Sequence, residues 1–235
     1  MTAPDDWLAA FPIKPATAAV EALREAWSEL ARAPLPHFNE RTKEPDLTKT
    51  LKIYVEQEVA PRRGLLVGMW AAEDVIGDVD PATGRRIQER RTDIVYGWND
   101  EAFQLKLVFE FKRLGRQKSH RDHYLKDQGL GRFVTGIYSR RQAVAAMVGV
   151  LLDQEEEVVP AIRKALKGKA LATSLRLRMA ASGLPYTQPS SLFPDAQFDT
   201  DHDRDPAFAP PHGYIRVSHF FFAFGYPTST RKVRA

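Results

Sequence analysis

Hydrophobic and polar positions along the chain change period several times, and each change marks an element. From Thr17 to Ala33 apolar side chains recur at Val20, Leu23, Trp27 and Leu30, the spacing of one helix face, and Pro34-Leu35-Pro36 ends the run. A second helix is predicted from Asp46 to Glu58, with Leu47, Leu51, Tyr54 and Val55 on one side. Pro45 suits its first turn, and Pro61-Arg62-Arg63-Gly64 stops it. The pattern then becomes extended from Leu65 to Val79, turns at Asp80-Pro81-Ala82-Thr83-Gly84, and returns as a strand from Arg91 to Trp98. After a turn at Asn99-Asp100-Glu101, Phe103 to Leu114 forms the next strand, which completes a three-stranded antiparallel meander.

Ser119 to Gln128 reads as a helix capped by Ser119 and closed by Gly129. Arg132 to Tyr138 is rich in β-formers, and Gln142 to Leu152 suits helix or strand. Glu155 to Met179 is mostly helical through Val158, Ile162, Leu166, Leu171 and Leu175, with a start near Val159 because Pro160 belongs in a first turn. Ser182 to Pro211 contains Pro185, Pro189, Pro194, Pro206, Pro210 and Pro211 and reads as an ordered loop or linker. Tyr214 to Phe224 closes the pattern as an aromatic-rich strand, followed by a basic tail at Arg231-Lys232-Val233-Arg234-Ala235.

The strand ending at Leu114 carries the most informative alternation. Leu107, Phe109 and Phe111 point to one face, while Val108, Glu110 and Lys112 point to the other. An acid and an amine therefore sit about 6–7 Å apart, opposite three large apolar groups. Asp93, within Thr92-Asp93-Ile94-Val95-Tyr96, offers a carboxylate from the neighbouring strand. Two such acids can hold a divalent cation and place the ammonium beside it, which suits phosphodiester chemistry. Mg²⁺ takes oxygen ligands and needs only one or two protein carboxylates beside waters and substrate phosphate. Lys112 would orient a water or stabilise developing negative charge. The plainer reading makes these three groups cross-strand ion pairs. Asp100 is a rival second carboxylate, but its place after Asn99 is explained by turn chemistry.

Composition narrows the classes. A chain of 235 residues with 43% hydrophobic and 27% charged residues can build a globular core. It has no cysteine, which excludes disulfides and thiolate metal sites. No apolar run reaches membrane-spanning length and no leader pattern opens the chain, so no membrane association is expected and a cytoplasmic location is the default. Net charge is +4 with a pI near 9.3. The distribution says more: Arg85, Arg86, Arg90 and Arg91 precede Asp93, and Lys112, Arg113, Arg116, Lys118 and Arg121 follow the Glu110 strand. Two basic clusters bracketing an acidic site fit a polyanionic backbone.

The pattern Asp93 … Glu110-Phe111-Lys112 resembles the PD-(D/E)xK, or restriction-endonuclease-like, nuclease superfamily over roughly residues 38 to 150. Thr92 stands where the family's namesake proline would be. The resemblance implies a metal-dependent nuclease using Mg²⁺ or Mn²⁺, held by Asp93, Glu110 and the carbonyl of Phe111, with Lys112 beside it. It also implies an acid on the first core helix, Glu44, with Glu40 one turn earlier as the alternative. The basic residues assigned to the nucleic acid are Arg91, Arg113, Arg116, Lys118 and Arg121. Gln128 or Tyr124 on the following helix could reach the substrate backbone.

Other motifs carry less. His120-Arg121-Asp122-His123 is too closely spaced for a helical zinc pair, so structural or phosphate-contact histidines are expected. Asp199-Thr200-Asp201-His202-Asp203-Arg204-Asp205 imitates a calcium loop but has Arg204 at its glycine position, and reads as a solvated acidic loop. No phosphate-cradling glycine motif is present. The expected fold is α/β (α+β): a central mixed sheet flanked by helices, with a helical extension over 1–36, a nuclease-like core over 37–155, and a C-terminal helix, loop and strand over 156–235 packing on that core. The expected substrate is DNA, with RNA open, and a protein partner or homo-oligomer supplies targeting. By analogy alone, an effector in bacterial anti-phage defence is a plausible setting. The alternative is a non-catalytic nucleic-acid-binding or scaffold subunit that kept the fold.

Overall fold

The computed structural model describes residues 6–65, 68–79, 82–83, 85–99, 104–136 and 138–228. Much of the predicted turn at 80–84, the rival Asp100 and the basic tail at 231–235 lie outside the described residues. The chain begins with α1 (Asp6–Ala10), α2 (Ile13–Leu30) and α3 (Glu44–Tyr54). A π-helical turn over Val55–Val59 carries α3 into a short α4 (Ala60–Arg62). Next come β1 (Met69–Ala72), β2 (Val75–Val79), β3 (Arg86–Arg91), β4 (Ile94–Asn99) and β5 (Gln104–Leu114). After α5 (Lys118–Leu125) and α6 (Leu130–Val134), β6 (Val144–Leu151) leads to α7 (Glu155–Leu166) and α8 (Lys169–Ser174). The chain closes with β7 (Phe198–Asp203) and β8 (Tyr214–Phe222).

Six strands form one mixed sheet in the order β1-β4-β5-β6-β8-β7. β1, β4 and β5 are antiparallel, β6 and β8 run parallel to β5, and β7 closes the far edge antiparallel. The predicted alternation of β5 sorts the two cores. Leu107, Phe109 and Phe111 face one core, where Ala19, Leu23, Trp27 of α2 and Leu47, Leu51 of α3 are buried. Val108 and Leu114 face the other, filled by Tyr124, Leu130, Phe133, Val158 and Ile162 from α5, α6 and α7. β6 and β8 are buried almost throughout, as parallel strands covered on both faces must be. No helix among the described residues is long and apolar enough to cross a membrane.

Several expectations are corrected. The single extended run from Leu65 to Val79 is two strands, broken at Glu73, whose φ of 52° lies in the left-handed region. β2 and β3 then leave the main sheet as a separate hairpin. The described residues of 132–138 form no strand: α6 occupies Arg132 to Val134, because Leu130, Phe133 and Val134 share a face that the core buries. α7 starts at Glu155 rather than near Val159. Three glutamates complement its N-terminus, and the carbonyl that Pro160 leaves unbonded lies on an exposed face. α5 begins after Gln117, without a Ser119 cap.

The Pro-rich stretch contains β7, and its acidic run is exposed at Asp203 and Asp205 but not at its start. Asp199 is 1% exposed and accepts hydrogen bonds from Ser190, Ser218 and both the hydroxyl and amide of Ser191. Asp201 forms a two-pronged pair with Arg216 at 2.7 and 2.8 Å. The last strand, expected to pack on the core, pairs inside its sheet between β6 and β7.

Candidate active site

The site exists because β5 outruns β4. Their pairing stops at Ile94 opposite Phe109, while β5 continues to Leu114. Upstream of Ile94 the chain turns toward the β2–β3 hairpin, with Thr92 N–H bonded to the Asp74 carbonyl and Glu73 N–H to that of Asp93. The bare edge of β5 must find other partners for its amides. Carboxylates supply them. Asp93 Oδ2 accepts from Phe111 N–H at 2.7 Å, and Glu44 Oε2, at the start of α3, accepts from Arg113 N–H at 2.9 Å. Because the N–H and C=O of one strand residue point to the same side, the Phe111 carbonyl faces this gap too.

Lys112 draws the acids together. Its Nζ lies 2.6 Å from the Phe111 carbonyl, 2.8 Å from Glu44, 2.9 Å from Glu110 and 3.8 Å from Asp93. The ammonium thus sits among the same oxygens that the sequence nominates for a cation. Glu110 is 1% exposed, and its Oε2 is buried without a hydrogen-bond partner. Asp93 is only half-buried, and its Oδ1, which makes no hydrogen bond among the described residues, is not buried. A buried, unbonded carboxylate oxygen is costly unless something else completes it, and a hard cation fits that requirement. Among the described residues no three His, Asp or Glu side chains form a metal-holding group by themselves. A cation here would rest on Asp93, Glu110 and the Phe111 carbonyl.

Electrostatics follow from burial and crowding. Burial, partly offset by Lys112, pushes Asp93 up to about 6. Burial and then the Asp93 charge push Glu110 up to about 8. Burial works against the Lys112 charge, but Glu110, Asp93 and Glu44 together raise the ammonium above the ordinary lysine range. Lys112 therefore stays protonated at neutral pH. Displaced carboxylate pKa values in a cleft are a recurring mark of functional sites.

A cleft of about 520 Å³ opens on Glu44, Asp93, Glu110 and Lys112, and is also lined by His120, His123, Gln128 and Arg132. Glu40 is elsewhere: its carboxylate accepts from Tyr226, which leaves Glu44 as the helix acid in the cleft. Tyr124 is fully buried, its hydroxyl 2.9 Å from His219 Nδ1, so it serves the core.

The basic residues divide. Arg113 lines the cleft, but its guanidinium also turns inward to donate to the Glu40 carbonyl. Arg116 pairs with Asp153 and Glu157, and Lys118 with Asp122, all near the surface. Arg91 is exposed and Arg121 half-buried, and neither side chain has a hydrogen bond or ion pair among the described residues. Exposed pairs of this kind contribute about 0–1 kcal/mol and exchange readily for phosphate.

No sequence pattern nominates Arg132 or Tyr138. Arg132 Nη1 lies 3.2 Å from Glu110 Oε1 and donates to the Tyr138 hydroxyl at 2.6 Å. The available signal was one arginine between buried positions, at Gly131 and Phe133, and it was hidden by the β-rich composition around it. Comparison with protein-family models, curated proteins and solved structures finds no match.

Proposed function

We propose that this chain is a metal-dependent nuclease that hydrolyses phosphodiester bonds of DNA, built on a restriction-endonuclease-like core. One observation carries the reading: Asp93, Glu110 and Lys112 converge at the strand gap, with a buried Glu110 oxygen left unbonded. The order α3, antiparallel β1/β4/β5, α5–α6 and parallel β6 supports the assignment of the core.

In this reading Asp93, Glu110 and the Phe111 carbonyl hold a divalent cation, and Glu44 fixes the position of Lys112. Such an ion, when bound, lowers the pKa of a water and polarises a phosphate oxygen. The chain's residues do the rest. Asp93 and Glu44 are oriented by the β5 amides, so neither needs to reorganise as charge develops. Lys112 remains an ammonium, able to hold the attacking water and to stabilise negative charge on the phosphate. The basic residues around the cleft meet the phosphate backbone, and that binding weakens as salt rises.

The test is incubation of the purified chain with plasmid and linear DNA in Mn²⁺, with EDTA as the control. Metal-dependent cutting that disappears in Glu110→Ala and Lys112→Ala, while both variants still retain DNA, is the expected result. Unchanged cutting by either variant defeats the mechanism. DNA retention with no cleavage by the wild-type chain in any metal would favour the non-catalytic scaffold.

A further inference from the structure

Arg132 reaches Glu110 from α6, and the way it is held is informative. A guanidinium kept only to neutralise a buried carboxylate normally engages both oxygens in a fork. Arg132 touches Glu110 through one nitrogen, at 3.2 Å, and leaves Glu110 Oε2 unbonded. That same nitrogen also donates to Tyr138, and Nε donates to the Asp127 carbonyl at 3.3 Å. Nη2 makes no hydrogen bond among the described residues, and the side chain, 28% exposed, lines the cleft.

The residues behind Arg132 fix its aim. Tyr138 is fully buried, and its hydroxyl donates to the Arg91 carbonyl at 2.5 Å, two residues before Asp93. Its ring lies under the guanidinium, with Cζ 5.3 Å from the centroid. Gly136 at φ 77° and Ser139 at φ 53° lie on either side of Tyr138, which belongs to no helix or strand that would hold it. Arg204, itself 5% exposed, does so by donating to the carbonyls of Phe133, Tyr138 and Ser139. Such an outlay of buried polar groups on one loop is explained if the guanidinium must be held in place.

We propose that Arg132 is a catalytic residue of the phosphodiesterase reaction, donating through its free Nη2 to the phosphate under attack, and that Tyr138 is the residue that positions it. This rests on the nuclease reading above. Arginine suits the task because its planar donors match phosphate oxygens and it keeps its charge throughout. It transfers no proton; it stabilises the negative charge that builds as water adds and the leaving oxygen departs.

The experiment measures kcat and KM separately on linear DNA with Mn²⁺ for the full chain, Arg132→Ala, Arg132→Lys and Tyr138→Phe, with the melting temperature of each in EDTA and in Mn²⁺. Arg132→Ala is expected to lower kcat by about 10²–10³-fold with KM little changed. Arg132→Lys restores the charge without the fork and recovers only part of the loss. Tyr138→Phe keeps the buried ring and lowers kcat by roughly tenfold, the price of a guanidinium free to swing. All three variants keep the Mn²⁺-induced rise in melting temperature, because Asp93 and Glu110 are untouched. Wild-type kcat in Arg132→Ala overturns the inference while leaving the nuclease reading intact. If Arg132→Ala does not fold, unaltered kcat in Tyr138→Phe overturns it instead. A wild-type chain that cuts nothing in Mn²⁺ overturns both.

Discussion

Glu110→Gln tests the electrostatics of the site without reference to turnover. Burial and the Asp93 charge hold the Glu110 carboxyl at about 8, against 4.5 in an ordinary chain. Between those values the folded protein keeps a proton that the unfolded chain has released. Ionisation therefore favours the unfolded state, and stability falls as pH rises from 4.5 toward 8. At pH 7 the unfolded chain is about 2.5 pH units past its own midpoint, and each unit corresponds to about 1.36 kcal/mol. Metal-free protein is thus weakened at this position by about 3 kcal/mol at pH 7.

Glutamine removes that cost with little change of shape. Its Oε1 keeps the contacts to Lys112 Nζ at 2.9 Å and Arg132 Nη1 at 3.2 Å, and it ionises in neither state. The unbonded Oε2 position is occupied by N–H groups in place of the protonated acid's hydroxyl, so the polar accounting there is similar. Denaturant unfolding in EDTA should place Glu110→Gln about 3 kcal/mol above wild type at pH 7, and only about 1 kcal/mol above it at pH 5.5. For a chain of this size the larger gain is roughly 6–12 °C in melting temperature. Mn²⁺ should then stabilise wild type and leave the variant unmoved. A variant no more stable than wild type, or a gain that does not grow with pH, refutes the claim that Glu110 is held neutral.

Mn²⁺ affinity should rise from pH 6 to pH 8, because Asp93 near 6 and Glu110 near 8 must both release protons to accept the ion; calorimetry in buffers of different ionisation enthalpy counts those protons, and a count near zero contradicts the assignment. Lys112→Met should abolish cleavage and, at pH 8 in EDTA, cost about 3–5 kcal/mol by leaving Glu44 and Asp93 without their ammonium and Glu110 with Arg132 alone. Mn²⁺ should restore most of that loss, and a variant equally unstable with and without the metal argues against a shared cation position. In the core, Thr200 bridges His202 Nε2 and His219 Nε2 at 2.8 Å each, and burial holds His202 down at about 4. With an unfolded value of 6.5, stability is complete above that pH and falls by about 3 kcal/mol as pH drops toward 4. His202→Asn, which can still donate to the Leu175 carbonyl, should make that acid limb of the unfolding curve shallower, leaving the share of His219, which burial also holds well below its ordinary value.

Local spacing made the carboxylate cluster legible. Glu110 and Lys112 share a face because they are two apart on a strand, and Asp93 lies just before the strand that pairs with theirs. Glu44 was legible as an acid at a helix start, although its hydrogen bond to Arg113 N–H depends on how α3 crosses β5. What remained hidden depended on distant partners. The Asp199 segment reads as solvated until Ser190, Ser191 and Ser218 are brought around it, and no period in the sequence announces them. Arg132 and Tyr138 were obscured because β-propensity within 132–138 competes with a helical face that only the core selects. The sequence pattern does not separate the β2–β3 hairpin from the meander, because a residue at positive φ, Glu73, gives no warning when it is neither glycine nor asparagine.

The strand gap unites these observations. A continuous β4–β5 ladder would satisfy the amides of Phe111 and Arg113 with carbonyls, and no carboxylate would be needed there. The departure of the hairpin opens that edge, and Asp93 and Glu44 fill it as acceptors that carry charge. Charge at a half-buried edge beside the buried Glu110 demands compensation, which draws in Lys112 and Arg132. Fully ionised, Glu44, Asp93 and Glu110 still exceed these two cations by one. Without a further positive charge, the protein settles the imbalance by keeping the Glu110 proton, at a cost in stability that grows with pH. The same imbalance would suit a hard cation, so the instability predicted for metal-free protein and the proposed metal binding rest on one physical property.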